Sequence, residues 1–302
     1  MTTAAPAVTP RGLARGASRN RLNVVADTLF ASFLFVGTIL GVVALAVLLW
    51  TIYDRGWDRL TADPGAFFTN FVSRFPSRAG IKAAIYGSVW LMALTALFSF
   101  PIGVGAAIYL QEFAPKNRLT GFIEANIANL AGVPSVVYGI LGLGVFVRFF
   151  EMGPSVLAGG LTLAVMSLPI IIIAAREAIV AVPESIRLAA YALGATKWQA
   201  VRHHVLPAAL PGTMTGTILA LSRAIGETAP LLVIGAAVSI FTTPDDVRDP
   251  FSALPIVIFN WTGRPQASFA EAAAAASIVL LALLLAMNAV AIFLRNRYST
   301  RW

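Results

Sequence analysis

Two ionisable side chains stand inside a stretch that is otherwise apolar. Residues 208–236 read as a membrane-crossing run, yet they include Ser222-Arg223-Ala224-Ile225-Gly226-Glu227-Thr228-Ala229-Pro230, which puts Arg223 and Glu227 on one helical face. A charge near the centre of a bilayer costs roughly 2.5–3.5 kcal/mol on insertion scales, so such residues mark ligand paths or buried pairs. Arginine offers a planar fork of donors that matches two oxyanion oxygens at once and stays ionised when desolvated. An ionised glutamate only accepts, and so can take a hydrogen bond from a protonated oxyanion. Arg223 is therefore the candidate anion contact in a translocation path. Glu227 is its companion, holding Arg223 while the path is empty or favouring a protonated anion. A structural ion pair at a helix interface, reaching even to a partner subunit, is the competing reading. Arginine before glutamate at this spacing is the less favourable order for a purely local pair.

Just before this run, the polar segment 176–207 accommodates two short helices. Pro183 suits an opening turn, Ile186, Ala189, Ala190 and Leu193 recur on one face, and Gly194 fits a stop. Thr196 and Gln199 form a capping box, Trp198, Val201 and Val205 share a face, and Pro207 closes the second helix. The expectation is helix, turn, helix.

Composition sets the surroundings. The chain is 58% hydrophobic and only 12% charged, with a mean hydropathy of +0.80, against about 25% charged residues in soluble domains. It reads as an integral membrane protein. Six apolar runs, at 28–53, 83–110, 122–146, 152–175, 208–236 and 272–294, are long enough to span. With no strand signal, the fold class is an all-α, six-helix membrane bundle, since only helices and closed barrels satisfy their backbone in lipid. Residues 1–27 read as a disordered basic tail, 28–82 as the first span and a mixed-charge external loop, 83–295 as the transmembrane domain, and 296–302 as a second tail. Pro134 and Pro169 are expected to kink or break the third and fourth spans. Placing the N-terminus inside assigns thirteen Lys and Arg residues to the cytoplasmic side and eight to the outside, which the positive-inside rule favours. Both termini and the segment 176–207 then face the cytoplasm.

The segment 183–207 resembles the EAA signature of ABC importer permeases: Glu-Ala-Ala, three residues, Gly, nine residues, Ile, any residue, Leu-Pro. Ala189, Ala190, Gly194, Leu206 and Pro207 stand at the matching spacings, while Leu188 replaces the glutamate and His204 the isoleucine. Residues 131–139, Ala-Gly-Val-Pro-Ser-Val-Val-Tyr-Gly, and residues 223–230 are similar to those of phosphate importer permeases within that family. The resemblance implies a type I importer subunit in a bacterial plasma membrane. It implies a second related permease, two cytoplasmic ATPase subunits docked on Ala189, Ala190, Gly194, Leu206 and Pro207, and an extracytoplasmic phosphate-binding protein. Under that reading Glu227 would favour protonated phosphate over sulfate. The exchange at position 188 removes any salt bridge made through that glutamate.

Other classes fit less well. None of the lysines, Lys82, Lys116 and Lys197, follows a glycine, so the Walker A signature is absent and ATP hydrolysis is expected in a separate subunit, not in this chain. With no cysteine, no His-Glu-x-x-His and both histidines in the loop, an intramembrane enzyme lacks its chemistry. His203 and His204 are adjacent and point to different sides, so no metal and no cofactor is expected. The net charge of +8 serves orientation rather than nucleic acid. Gly139, Gly142 and Gly144 lie inside a span, where small residues let helices approach, and the alanines at 272–276 read the same way. A permease for another oxyanion or small solute is the nearest alternative. A self-sufficient anion channel or secondary transporter would show inverted repeats, and none is apparent.

Overall fold

The computed structural model describes residues 10–237 and 240–298, and every described element is helical. The chain divides into two compact units, residues 1–54 and 55–302. Helix α1 (Pro10–Ala62) begins in the first. There every residue from 26 to 50 is exposed, including the four successive residues Phe33, Leu34, Phe35 and Val36, so apolar side chains cover its whole circumference. The helix starts at Pro10, within the stretch read as a basic tail, while residues 1–9 of that tail lie outside the described residues. Extending a helix that already exists requires no new nucleus. Arg and Ala are good helix formers, and Pro10 fits a first helical position. For the same reason α1 outlasts the first apolar run and takes up part of the expected loop.

The second unit opens with α2 (Pro64–Thr69), capped by the Asp63 carboxylate, which accepts from Ala66 N at 2.9 Å. Helix α3 (Lys82–Ile108) ends in a π-turn over Tyr109–Phe113. The third apolar run is split into α4 (Arg118–Ala131) and α5 (Ser135–Gly142), the latter extended by a π-turn over Leu143–Phe149. The two halves bend by 105° about Pro134, the break expected there, because proline has no N–H and disfavours helix in the residue before it.

Helix α6 (Val156–Val180) passes Pro169 unbroken, so of the kink or break expected there the break does not occur. It is the most enclosed span, 67% buried over its apolar window. Packing between α3 and α9 (Leu206–Ala224) keeps it one continuous helix despite the lost hydrogen bond. Backbones approach closely here: a Cβ on Gly212 would lie 2.8 Å from the Ala178 Cβ, and one on Gly216 would collide with Ala174.

Between α6 and α9 lie α7 (Glu184–Ala192) and α8 (Lys197–Ala200). The fifth run is a correction: α9 stops at Ala224, and α10 (Ala229–Val233) follows after a break. Helix α11 (Leu254–Thr262) was not expected, and α12 (Ala267–Tyr298) completes the chain. Among the described residues, five helices are long and apolar enough to cross a membrane, and six spans result if the bent α4–α5 pair counts as one. Gly139 and Gly142 do pack closely, against Pro230 and Thr162, whereas Gly144 faces open space. Ala272, Ala273, Ala275 and Ala276 are buried with Phe67, Trp261 and Phe269 in the core beside α2 and α11.

Candidate functional site

Arg223 occupies the last turn of α9, where a cation complements the partial negative charge of the carbonyl end. The helix then tightens: Gly226 N and Glu227 N bond to the carbonyls of Arg223 and Ala224, three residues back, at 3.2 Å. Pro230, with no N–H, enters the first turn of α10. Glu227 therefore lies in the break, not on a continuous helix face as the spacing suggested. Even so the two side chains meet, with Arg223 Nε 3.3 Å from Glu227 Oε1. The Arg223 side chain is 52% exposed and that of Glu227 only 18%. Among the described residues this one long contact, made through Nε, is the only hydrogen bond of the guanidinium.

The surroundings fix this break. Gly139 of α5 brings its backbone so close that a Cβ would lie 2.7 Å from Pro230 Cα. The neighbouring Tyr138 is buried, and its hydroxyl donates to Leu130 O at 2.8 Å across the α4–α5 bend. Two stretches noticed separately, 131–139 and 223–230, are thus brought together. The Ser222 hydroxyl lies 2.7 Å from Asn288 Oδ1 on α12 and ties down the residue next to Arg223. Asn288 went unnoticed, although a lone amide in the apolar run 272–294 is itself a signal.

The second group of candidate residues lies elsewhere. Leu206 and Arg223 are seventeen residues apart on α9, about 25 Å at 1.5 Å per residue. Helix α7 opens after Pro183, which is its N-cap rather than its first residue. It closes as expected on Gly194, whose φ is +83°. Gly194 N bonds to Tyr191 O at 2.9 Å and Ala195 N to Ala190 O at 3.1 Å, the paired bonds of a Schellman stop. The Thr196–Gln199 capping box then starts α8. Pro207 does not end that helix, because a π-turn over Val201–Val205 carries α8 into α9. The Leu206 N–H reaches back five residues to Val201 O, and the widened turn makes room for the proline ring.

At the hairpin tip Ala189 and Gly194 are exposed, and Leu193 is 90% exposed. Ala190 is buried, while Leu206 and Pro207 are half-buried in the helix entry. The five signature positions therefore divide into a tip and a base. The histidines lie on the π-turn, with His203 Nδ1 3.1 Å from Gln199 O. Sequence reasoning missed Glu112, whose buried carboxylate lies 2.7 Å from Arg187 Nη2. Arg176 and Glu124 form another pair at 3.0 Å between α6 and α4.

A helical membrane chain with a capped hairpin leading into a broken, arginine-bearing span matches a described family. The profile of the binding-protein-dependent transport system inner membrane component covers residues 99–301. The chain belongs to this family. Among relatives of this permease is the "Probable ABC transporter permease protein YqgI" of Bacillus subtilis (strain 168), 32% identical over 74% of this chain and 81% of that protein. The phosphate transport system permease protein PstA of Yersinia pestis is 31% identical over 93% of this chain and 92% of its own length. PstA 1 of Mycobacterium tuberculosis (strain CDC 1551 / Oshkosh) is 28% identical over 90% and 89%. The fold is that of type I ABC importer transmembrane domains. A bacterial alginate ABC transporter chain matches with a TM-score of 0.63 and 14% identity over 92% of this chain and 97% of its own. The MetNI methionine ABC transporter matches at 0.55 and 22%, over 72% and 97%.

Proposed function

We propose that this permease is the membrane-spanning subunit of an ATP-driven phosphate importer, contributing half of the translocation path. The observation that carries this reading is the guanidinium of Arg223, held at the break in the fifth span by one long contact to Glu227 through Nε. Its Nη edge, which bonds to no described residue, suits two oxygens of an oxyanion. Glu227 acts as a latch: an arriving phosphate displaces it from Arg223, and its carboxylate then accepts the proton of a monohydrogen or dihydrogen phosphate. Sulfate, which carries no such proton near neutral pH, would meet a bare carboxylate. The names of the PstA relatives support phosphate as cargo.

Power comes from outside the chain. Ala189 and Gly194 at the exposed tip are the contact for ATPase subunits, with Ala190, Leu206 and Pro207 shaping the hairpin beneath. A second related permease completes the path, and an extracytoplasmic phosphate-binding protein supplies it. The basic residues orient the chain in a bacterial plasma membrane with both termini and the hairpin in the cytoplasm.

The test is ATP-driven uptake of inorganic phosphate in vesicles holding the complete complex. Arg223→Gln should abolish uptake while the ATPase still co-purifies; normal uptake would overturn the site. Glu227→Gln should narrow the preference for phosphate over sulfate, and an unchanged preference removes the role of its carboxylate in selection.

A further inference from the structure

Arg187 is not among the residues of the proposed path, yet it joins more elements than any other described side chain in the hairpin region. Its Nε and Nη2 donate to Glu112 Oε1 at 3.1 and 2.7 Å. Its Nη1 donates to Val182 O at 2.8 Å, and Nη2 also donates to Ile179 O at 3.0 Å. Ile179 is in the last turn of α6 and Val182 two residues past its end, where backbone acceptors lack helical partners. One guanidinium on α7 thus binds the carbonyl end of α6 and the π-turn that finishes α3. The pair is well enclosed, with side-chain exposures of 16% and 7%.

The other half of the hairpin grips the same π-turn. Lys197 Nζ lies 5.3 Å from the centre of the Phe113 ring, and Trp198 stands 6.4 Å from that ring. From there α3 runs to the Arg223 site: Leu91 and Met92 share a core with Ala224 and Ile225, the two residues that follow Arg223. Ser88 Oγ accepts from Leu254 N at 2.9 Å and anchors the start of the same helix.

We propose that the Arg187–Glu112 pair is a coupling strut: it transmits displacement of the ATPase-facing hairpin into α3, which then shifts the core behind Arg223. A second route exists through α9 itself, which joins the hairpin to Arg223 covalently. The strut makes the two routes move together, so that hydrolysis is converted into a change at the anion site. Arg187 and Glu112 are positioning residues, since neither touches the anion. A π-turn at the receiving end suits this role, because its looser hydrogen bonding lets a helix end change register at little cost. The proposal rests on reading the chain as an ATP-driven permease.

The experiment uses the complete complex in vesicles, with ATP hydrolysis and inorganic phosphate uptake measured on the same preparation. Phosphate uptake by the native complex tests the functional reading; the variants test the strut. In Glu112→Gln the ATPase should still co-purify and hydrolyse ATP, while phosphate moved per ATP falls at least ten-fold. Glu112→Asp, which keeps the charge on a shorter stem, should restore part of that ratio. Uptake and hydrolysis that fall in proportion, or a ratio that does not change, would overturn the proposal. Should Glu112→Gln fail to assemble, the decision passes to Glu112→Cys with Arg187→Cys, in a chain that has no other cysteine. Bridging the pair with a short bis-maleimide should raise the ratio over the unbridged double variant, and equal ratios would overturn the strut.

Discussion

The turn at Gly194 permits a quantitative prediction that does not depend on what the permease carries. Its φ of +83° lies in the left-handed region, and a Cβ built there meets nothing within 4 Å. Any penalty for a side chain is therefore one of backbone conformation, not of space. Placing an L-residue in this region costs roughly 1–2 kcal/mol. Alanine also restricts the opened hairpin, which returns about 0.4–1 kcal/mol. The net loss for Gly194→Ala is about 1 kcal/mol, which raises the opened population about five-fold. Gly194→Val, β-branched and poorly suited to positive φ, should lose more, and Gly194→Asn, which tolerates this region, less. Amide hydrogen exchange of Gly194 and Ala195, whose N–H groups close the Schellman stop, reads this directly. The expected order of exchange rates, each normalised to its intrinsic rate, is Gly, Asn, Ala, Val from slowest to fastest. Equal rates for Ala and Asn, or a Val variant as protected as glycine, would refute the conformational argument. If the hairpin docks an ATPase, co-purification should weaken in the same order.

Two further expectations concern stability. Gly216→Leu forces α9 away from Ala174 of α6 and should destabilise the permease by about 1–3 kcal/mol, as overpacked cores do, seen as a lower melting temperature in detergent; an unchanged melt would mean the two helices are not packed as described. Asp249 accepts from Asp245 N and Asp246 N at 2.9 Å, and these bonds hold its carboxylate below the usual range of about 3.9. Its contribution to the 245–249 loop is complete above that usual value and is lost as pH falls through the lowered one. Normalised protection of the Asp245 and Asp246 amides should drop across that acid window in the native chain, and Asp249→Asn should remove the step; protection that ignores both changes would show that the carboxylate does not hold the loop.

Local signals were legible wherever they were unopposed. The capping box at Thr196 and the glycine stop at 194 announced themselves because caps and stops are decided by neighbours a few residues away. Pro134 broke its span as read, but Pro169 did not, since packing against α3 and α9 outweighed one lost hydrogen bond. The break after Ala224 has its signal too, in Gly226 and Pro230, yet the apolar run continues past both to Ala236 and so reads as one span. Helix α11 escaped because nine residues are too few for a span, and what makes it a helix is burial of Leu254, Ile256, Val257 and Trp261.

The amino-acid order alone determined that this is a helical membrane chain, that it carries a hairpin of permease type, and that Arg223 and Glu227 are its unusual residues. Those properties follow from composition, from helical periodicity and from ionisable groups in apolar surroundings. Only the tertiary structure decided that Glu227 sits in a break, that the 131–139 stretch packs on that break, and that Glu112 meets Arg187 across 75 positions. Pairings at such separation depend on how helices cross. That is set by the fit of small residues such as Gly139 and Gly216 against their neighbours, which no local pattern encodes.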